Sequence, residues 1–178
     1  RSFLTASAGF AVASAVPTGA FAASVDPSTW RTTVERAPRP IDKPVRLNIK
    51  NKRTGDVFND VFKQGPLVYD DALAELDHLM RDWRRDETIQ MDRGLIDLLA
   101  AVQAEIGYGE PMTVISGYRS QSTNDMLRKR MRKVAKNSYH IKGMAVDLRI
   151  KGVSTSAINQ IALHQEAGGV GYYPGQDF

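Results

Sequence analysis

Ser138-Tyr139-His140-Ile141-Lys142-Gly143-Met144-Ala145-Val146-Asp147 sets the tightest condition on how this chain folds. It carries an imidazole and a carboxylate seven positions apart, both good zinc ligands at about 2.0–2.2 Å. A straight strand would hold them about 23 Å apart, at ~3.3 Å per residue. A helix would still separate them by about 10 Å along its axis. For the two to meet, the chain must double back between them. Gly143 permits this, because glycine takes positive φ without a Cβ penalty. Beyond the turn, Val146, Leu148 and Ile150 alternate with Ala145, Asp147 and Arg149, as in a strand with one buried face. A carboxylate on the polar face of such a strand is held rigidly. Alone, the spacing more often means a surface histidine followed by an edge-strand aspartate, so the surroundings decide.

The chain of 178 residues is long enough for one domain with a real core. It has no cysteine, which excludes a disulfide framework, a thiolate nucleophile and thiolate-bound zinc. Any metal must be held by nitrogen and oxygen ligands. The net charge of +4 favours an anionic polymer: nucleic acid, bacterial cell wall or a membrane surface. Arg1-Ser2-Phe3-Leu4 reads as the second half of a twin-arginine export signal, with a further arginine expected directly before Arg1. The apolar stretch from Leu4 to Val16 is too short, and too rich in Ala, Ser and Gly, to span ~30 Å of hydrocarbon. Ala20-Phe21-Ala22 supplies a small-x-small cleavage pattern. Residues 1–22 are therefore expected to be a removable signal segment that carries the domain out of the cytoplasm and is its only contact with a membrane. Residues 23–44, with Pro27, Pro38, Pro40 and Pro44, read as an extended linker, and a domain over 45–178 follows.

Within that domain, Val45, Leu47 and Ile49 alternate with polar residues as a half-buried strand does. Lys52-Arg53-Thr54-Gly55-Asp56 turns the chain, and Val57, Phe58, Val61 and Phe62 mark the return strand. Asp70 or Asp71 is expected to cap a helix with Leu73, Leu76, Met80 and Trp83 on one side. Leu95, Leu98, Leu99, Val102 and Ile106 keep helical spacing, and Gly107 stands just past the end. A strand over Pro111–Ser116 precedes a helix from about Ser122 to Val134 that buries Leu127, Met131 and Val134. Ser154 caps a further helix containing Ile158, Ile161 and Ala162, Gly168-Gly169 stops it, and Val170 to Tyr173 reads as a last strand. Hairpins are as frequent as crossovers, so the expected fold is α+β, a mostly antiparallel sheet packed by helices. The run Arg128-Lys129-Arg130-Met131-Arg132-Lys133 has its charges outside the buried stripe and no stacking aromatics among them, so no nucleic-acid partner is expected. His78 and His164 have no second ligand at i+4 and read as structural or exposed.

The wording around the His140–Asp147 pair resembles a known family. Ser116-Gly117-Tyr118-Arg119-Ser120, then Asn124 and Leu127-Arg128, then Ser138 before His140, lie upstream. Gly152-Val153-Ser154-Thr155 and Gly168-Gly169-Val170-Gly171-Tyr172-Tyr173-Pro174 follow. In this order and spacing they resemble the murein endopeptidase K family, within the hedgehog-like group of zinc D-Ala-D-Ala carboxypeptidases and cell-wall endopeptidases. The resemblance runs from about Val45 to Phe178 and implies a zinc peptidase acting on peptidoglycan in the periplasm. It makes His140 and Asp147 two metal ligands and places the third, a histidine, directly after Phe178, so the chain ending there is expected to be inactive. It turns Arg119, by itself a loop arginine in water, toward the metal, to stabilise an oxyanion or hold a substrate carboxylate. Related zinc dipeptidases carry an acid three residues before the last histidine, which offers Asp177 as general base, although an aspartate after Pro174-Gly175 also forms a turn. A cell-wall binding module without activity, and an amidase for a small D,D-dipeptide, stand as alternatives. The residues do not choose between a D,D and an L,D bond.

Overall fold

Alternation of apolar and polar residues places Leu47 and Ile49 in full burial on strand β1 (Pro44–Asn51) of the computed structural model, which describes residues 43–131 and 134–173. Strand β2 (Val57–Gln64) folds back antiparallel, with Phe58 opposite Ile49 and with Phe58 and Phe62 buried. The short strand β3 (Leu67–Val68) forms one edge. Helices α1 (Asp70–Leu79) and α2 (Arg93–Ile106) then carry the chain to β4 (Met112–Ser116), which lies parallel to β1 on its other side. Helix α3 (Gln121–Arg130) and a short 3-10 helix (Tyr139–Lys142) lead to β5 (Asp147–Ile150), antiparallel to β4, and helix α4 (Thr155–His164) follows. The sheet order is β3-β2-β1-β4-β5, mostly antiparallel, which is the α+β arrangement expected.

The core forms where apolar stripes face the sheet. Leu73, Leu76 and Leu79 of α1 and Ile96, Leu99 and Val102 of α2 close over Leu47, Ile49, Phe58, Met112 and Val114. One buried polar group fixes α2 to β1: Gln103 accepts from the Asn48 amide at 2.6 Å and donates to the Asn48 carbonyl at 2.8 Å. At the ends, Asp92 caps α2 by accepting from the Leu95 amide, and Ser154 caps α4 by accepting from that of Ala157.

Five local expectations give way. Neither Asp70 nor Asp71 caps α1: its N-cap is Tyr69, with no side-chain cap hydrogen bond, and both aspartates lie inside the first turn. Pro44, read as linker, opens β1. Helix α1 ends at Leu79, so Trp83 leaves the apolar stripe and stays 39 % exposed. The reason is a tight loop, closed where the Asp82 amide donates to the Glu87 carbonyl at 2.9 Å. Helix α3 ends at Arg130, and Met131 is extended and 50 % exposed. Its buried residues are Thr123 and Asn124 instead of an apolar stripe, so no packing carries the helix further. Val170 to Tyr173 is irregular, not a strand. The signal segment over 1–22 and nearly all of the linker lie outside the described residues. Among the described residues, no helix is long and apolar enough to cross a membrane.

Candidate metal and catalytic site

Three segments converge at one end of the β4–β5 pair. Ser116, the last residue of β4, stands opposite Asp147, the first of β5, and the register shifts between Val114 and Ser116. Such a bulge re-aims side chains beside it. The 3-10 helix supplies His140, and its reversal is completed by Gly143 in the left-handed region at φ +67°. A Cβ at Gly143 would meet Ile89 Cδ1 at 3.0 Å and the Gln90 carbonyl at 3.2 Å, so both the turn and the space around it favour glycine. The Gly143 carbonyl in turn accepts from the Asp92 amide at 3.0 Å, which ties this turn to the start of α2.

The chain therefore does double back, and His140 Nε2 stands 3.4 Å from Asp147 Oδ1. The other atom of each group is engaged. His140 Nδ1 lies 2.7 Å from the Gly117 carbonyl, which can only accept, so Nδ1 carries a proton there. Asp147 Oδ2 accepts from an Arg119 guanidinium N–H at 2.7 Å. What remains is His140 Nε2 facing a carboxylate oxygen, and with the ring neutral a cation between them would satisfy both. Two tetrahedral zinc ligands at ~2.0–2.2 Å have donor atoms about 3.3–3.6 Å apart. The nitrogen–oxygen pair, its spacing and the outer hydrogen bonds that fix ring and carboxylate all suit zinc. Among the described residues, no group of three or more histidines, cysteines or carboxylates is gathered to hold an ion.

Arg119 is the hinge of the site. Its backbone N–H donates to the His140 carbonyl at 3.1 Å, and its Nε donates to Ser116 Oγ at 2.8 Å. Burial pushes its pKa down, against the pull of Asp147, of Asp82 and of Tyr173. Asp177 lies outside the described residues. His78 and His164 are exposed on α1 and α4.

The sequence reading missed the supports beneath these residues. Asp82, almost fully buried, accepts from the Ser120 amide at 3.0 Å and its hydroxyl at 2.7 Å. The Tyr118 amide donates to the Met80 carbonyl at 2.7 Å, and a Cβ on Gly117 would collide with that same carbonyl. Gly117 thus allows the close approach that brings its own carbonyl to the His140 ring. An acid directly before Trp83-Arg84-Arg85 was the visible signal for Asp82, since a charge in that company needs a partner.

The family described as peptidoglycan L,D-endopeptidase MepK matches residues 39–178. The chain is 43 % identical over 136 residues to peptidoglycan L,D-endopeptidase MepK of Escherichia coli strain K12, covering 76 % of this chain and 75 % of that protein. It is 42 % identical over 137 residues to a probable peptidoglycan L,D-endopeptidase MepK of Haemophilus influenzae, covering 76 % and 74 %. No solved structure matches the chain.

Proposed function

Because the chain belongs to the family of the peptidoglycan L,D-endopeptidase MepK, we propose that it hydrolyses amide bonds in peptidoglycan stem peptides or their cross-links, with zinc held by His140 and Asp147. The relatives' names favour an L,D bond. The observation that carries the zinc assignment is the 3.4 Å approach of His140 Nε2 to Asp147 Oδ1, each group oriented by its other atom. Zinc, when bound, supplies a water acidic enough to be hydroxide near neutral pH and a Lewis acid for the amide carbonyl.

The chain's own residues do the rest. The Gly117 carbonyl keeps the His140 ring in one tautomer and orientation. Arg119 steadies Asp147 with one N–H and uses another on Ser116, and a guanidinium has five. Its other donors serve the carbonyl oxygen as negative charge grows on it, or a carboxylate of the substrate. The half-buried setting of Arg119 and Asp147 thins the water around both and strengthens these contacts. Asp177, offered as general base by the likeness to related zinc dipeptidases and equally suited to form a turn after Pro174-Gly175, is the candidate to test for that role, and the periplasm, reached through the twin-arginine segment, is the proposed site of action.

The test uses the full-length protein, purified sacculi and a metal analysis. Wild type should release muropeptides, lose that activity to a chelator and regain it with zinc. His140→Ala should lose both metal and activity while its circular dichroism is unchanged. Undiminished hydrolysis by His140→Ala would falsify the site. In the same assay, Asp177→Asn should keep the metal and lose rate, and full activity would remove Asp177 from the mechanism.

A further inference from the structure

Trp83 keeps 39 % of its surface in water although it is the largest apolar side chain near the site. Two guanidiniums cover it. The central carbon of Arg84 lies 4.3 Å from the ring centroid and that of Arg53 5.6 Å, both within cation–π range. A guanidinium stacked by its face leaves its in-plane N–H groups pointing outward, and those edges pair with a carboxylate in two-pronged fashion. Among the described residues, neither Arg53 nor Arg84 has a carboxylate at ion-pair distance. The neighbouring Arg81 does the opposite, holding Asp56 and Asp86 at 2.6 Å each. Asp56, Asp82 and Asp86 are thus already engaged, while the two cations over Trp83 are exposed.

The ledge is also fixed relative to the site. Asp82, one residue before Trp83, holds the amide and hydroxyl of Ser120, one residue after Arg119. Burial, then crowding by Arg119, Arg53 and Arg130 against the pull of Asp82, holds the pKa of Arg84 below the usual arginine range. An arriving anion relieves that crowding.

We propose that Arg53, Trp83 and Arg84 form a subsite that binds a free carboxylate of the substrate's peptide, beside the bond being cut. The part of the indole left exposed takes the aliphatic part of that peptide, and the two guanidiniums over the ring take its charge. This rests on peptidoglycan being the substrate, a polymer whose stem peptides carry free carboxylates outside their cross-links.

The experiment compares full-length wild type with Arg53→Gln/Arg84→Gln, on cross-linked muropeptides and on the same material with its free carboxylates amidated. KM, kcat, bound metal and circular dichroism are measured. The double variant should raise KM about tenfold on the native substrate, as expected for losing a charged pair. Its kcat and metal content should stay within about twofold of wild type. Amidation should raise the wild-type KM to a similar degree and change that of the variant little, because both remove the same contact. Trp83→Leu, which keeps an apolar side chain at this half-exposed position, should show an intermediate KM. If KM is unchanged in the double variant, or if amidation weakens variant and wild type equally, the subsite is wrong while the hydrolase stands. A wild-type protein that neither binds nor cuts peptidoglycan removes the functional reading, and the subsite with it.

Discussion

Helix α1 buries Leu73, Leu76 and Leu79 against the sheet, whereas α3, of the same length, buries only Thr123 and Asn124. The two helices belong to differently built halves of the domain. Around α1, α2, β1 and β2 the packing is mainly apolar and non-directional, pinned at a few points such as the Gln103–Asn48 pair, and it chiefly sets stability. Around α3, the 3-10 helix and the start of β5 the contacts are directional. Ser120 caps α3 through the Thr123 amide, Asn124 donates to the Ala135 carbonyl at 3.1 Å, and His140 leans on Gly117. Apolar burial supplies the energy for the fold, and hydrogen bonds supply the positions for the chemistry.

If that division is right, Leu76→Ala should have the largest effect on stability, about 2–5 kcal/mol, as for a fully buried leucine. Urea unfolding measures it. The folded fraction should keep the His140–Asp147 geometry and the metal content of wild type. A cost below about 1 kcal/mol would place the stabilising core elsewhere.

Asp82→Asn probes the directional half and should cost less, about 1–3 kcal/mol near pH 7. Asparagine offers one acceptor oxygen where Asp82 uses two, one for the Arg84 amide and one for Ser120. The cost should depend on pH. Burial raises the pKa of Asp82, but the Thr123 and Ser120 hydroxyls and the Ser120 and Arg84 amides outweigh it, so the net shift is downward. A depressed carboxylate contributes stability fully above its unfolded pKa of about 3.9 and loses it as pH falls through the lower folded value. The gap between wild type and variant should therefore be widest above about pH 4 and close in stronger acid. A gap that is constant with pH would contradict this.

The smallest effect, and of opposite sign, belongs to Asp77 in the apolar half. Burial raises its pKa, against the Met91 amide and the charge of Arg93. Its ionised form therefore weakens the fold above the raised value, and the penalty disappears as pH falls toward about 3.9. Asp77→Asn keeps an oxygen for the Met91 amide, 2.9 Å away. It should match wild type or exceed it by up to about 1 kcal/mol at pH 7, with the difference vanishing in acid. Thermal melts at pH 7 and pH 4 decide, and a clearly less stable Asn variant at pH 7 would mean that the charge is favourable there.

The apolar half was legible in the sequence because its rule is local. Leu95, Leu99, Val102 and Ile106 announce α2 by period alone, and Gly107 ends it at φ +101°. Gly143 announced the reversal for the same reason, since a backbone requirement acts at one residue. Trp83 and Met131 were misplaced because period continues past the point where a helix stops. A loop closure ended the first, and the second lacked the apolar contacts that would have carried it further. Arg119 stood out through family resemblance, not through chemistry visible in the chain. Its partner Asp147 is 28 residues away, and Gly117 is 23 from the ring it orients. No local pattern encodes a contact of that range, and the Asp82–Ser120 contact spans 38.

Those separations bear on the order in which the site comes into being. His140 and Asp147 are near in sequence, but what aims them arrives from the end of β4. Closing a loop of this size is only modestly harder than closing one half as long, by about 0.6 kcal/mol per doubling. Once β4 pairs with β5, Gly117, Ser116 and Arg119 reach their partners in one event. Before that pairing, His140 and Asp147 are close in sequence but nothing aims them at one another. The site and the β4–β5 ladder should therefore open together in hydrogen exchange, with Met112 and Val114 of β4 tying that opening to the apolar core. The amides of Arg119, bonded to the His140 carbonyl, and of Asp92, bonded to the Gly143 carbonyl, are the two exchange probes on the rim of the site.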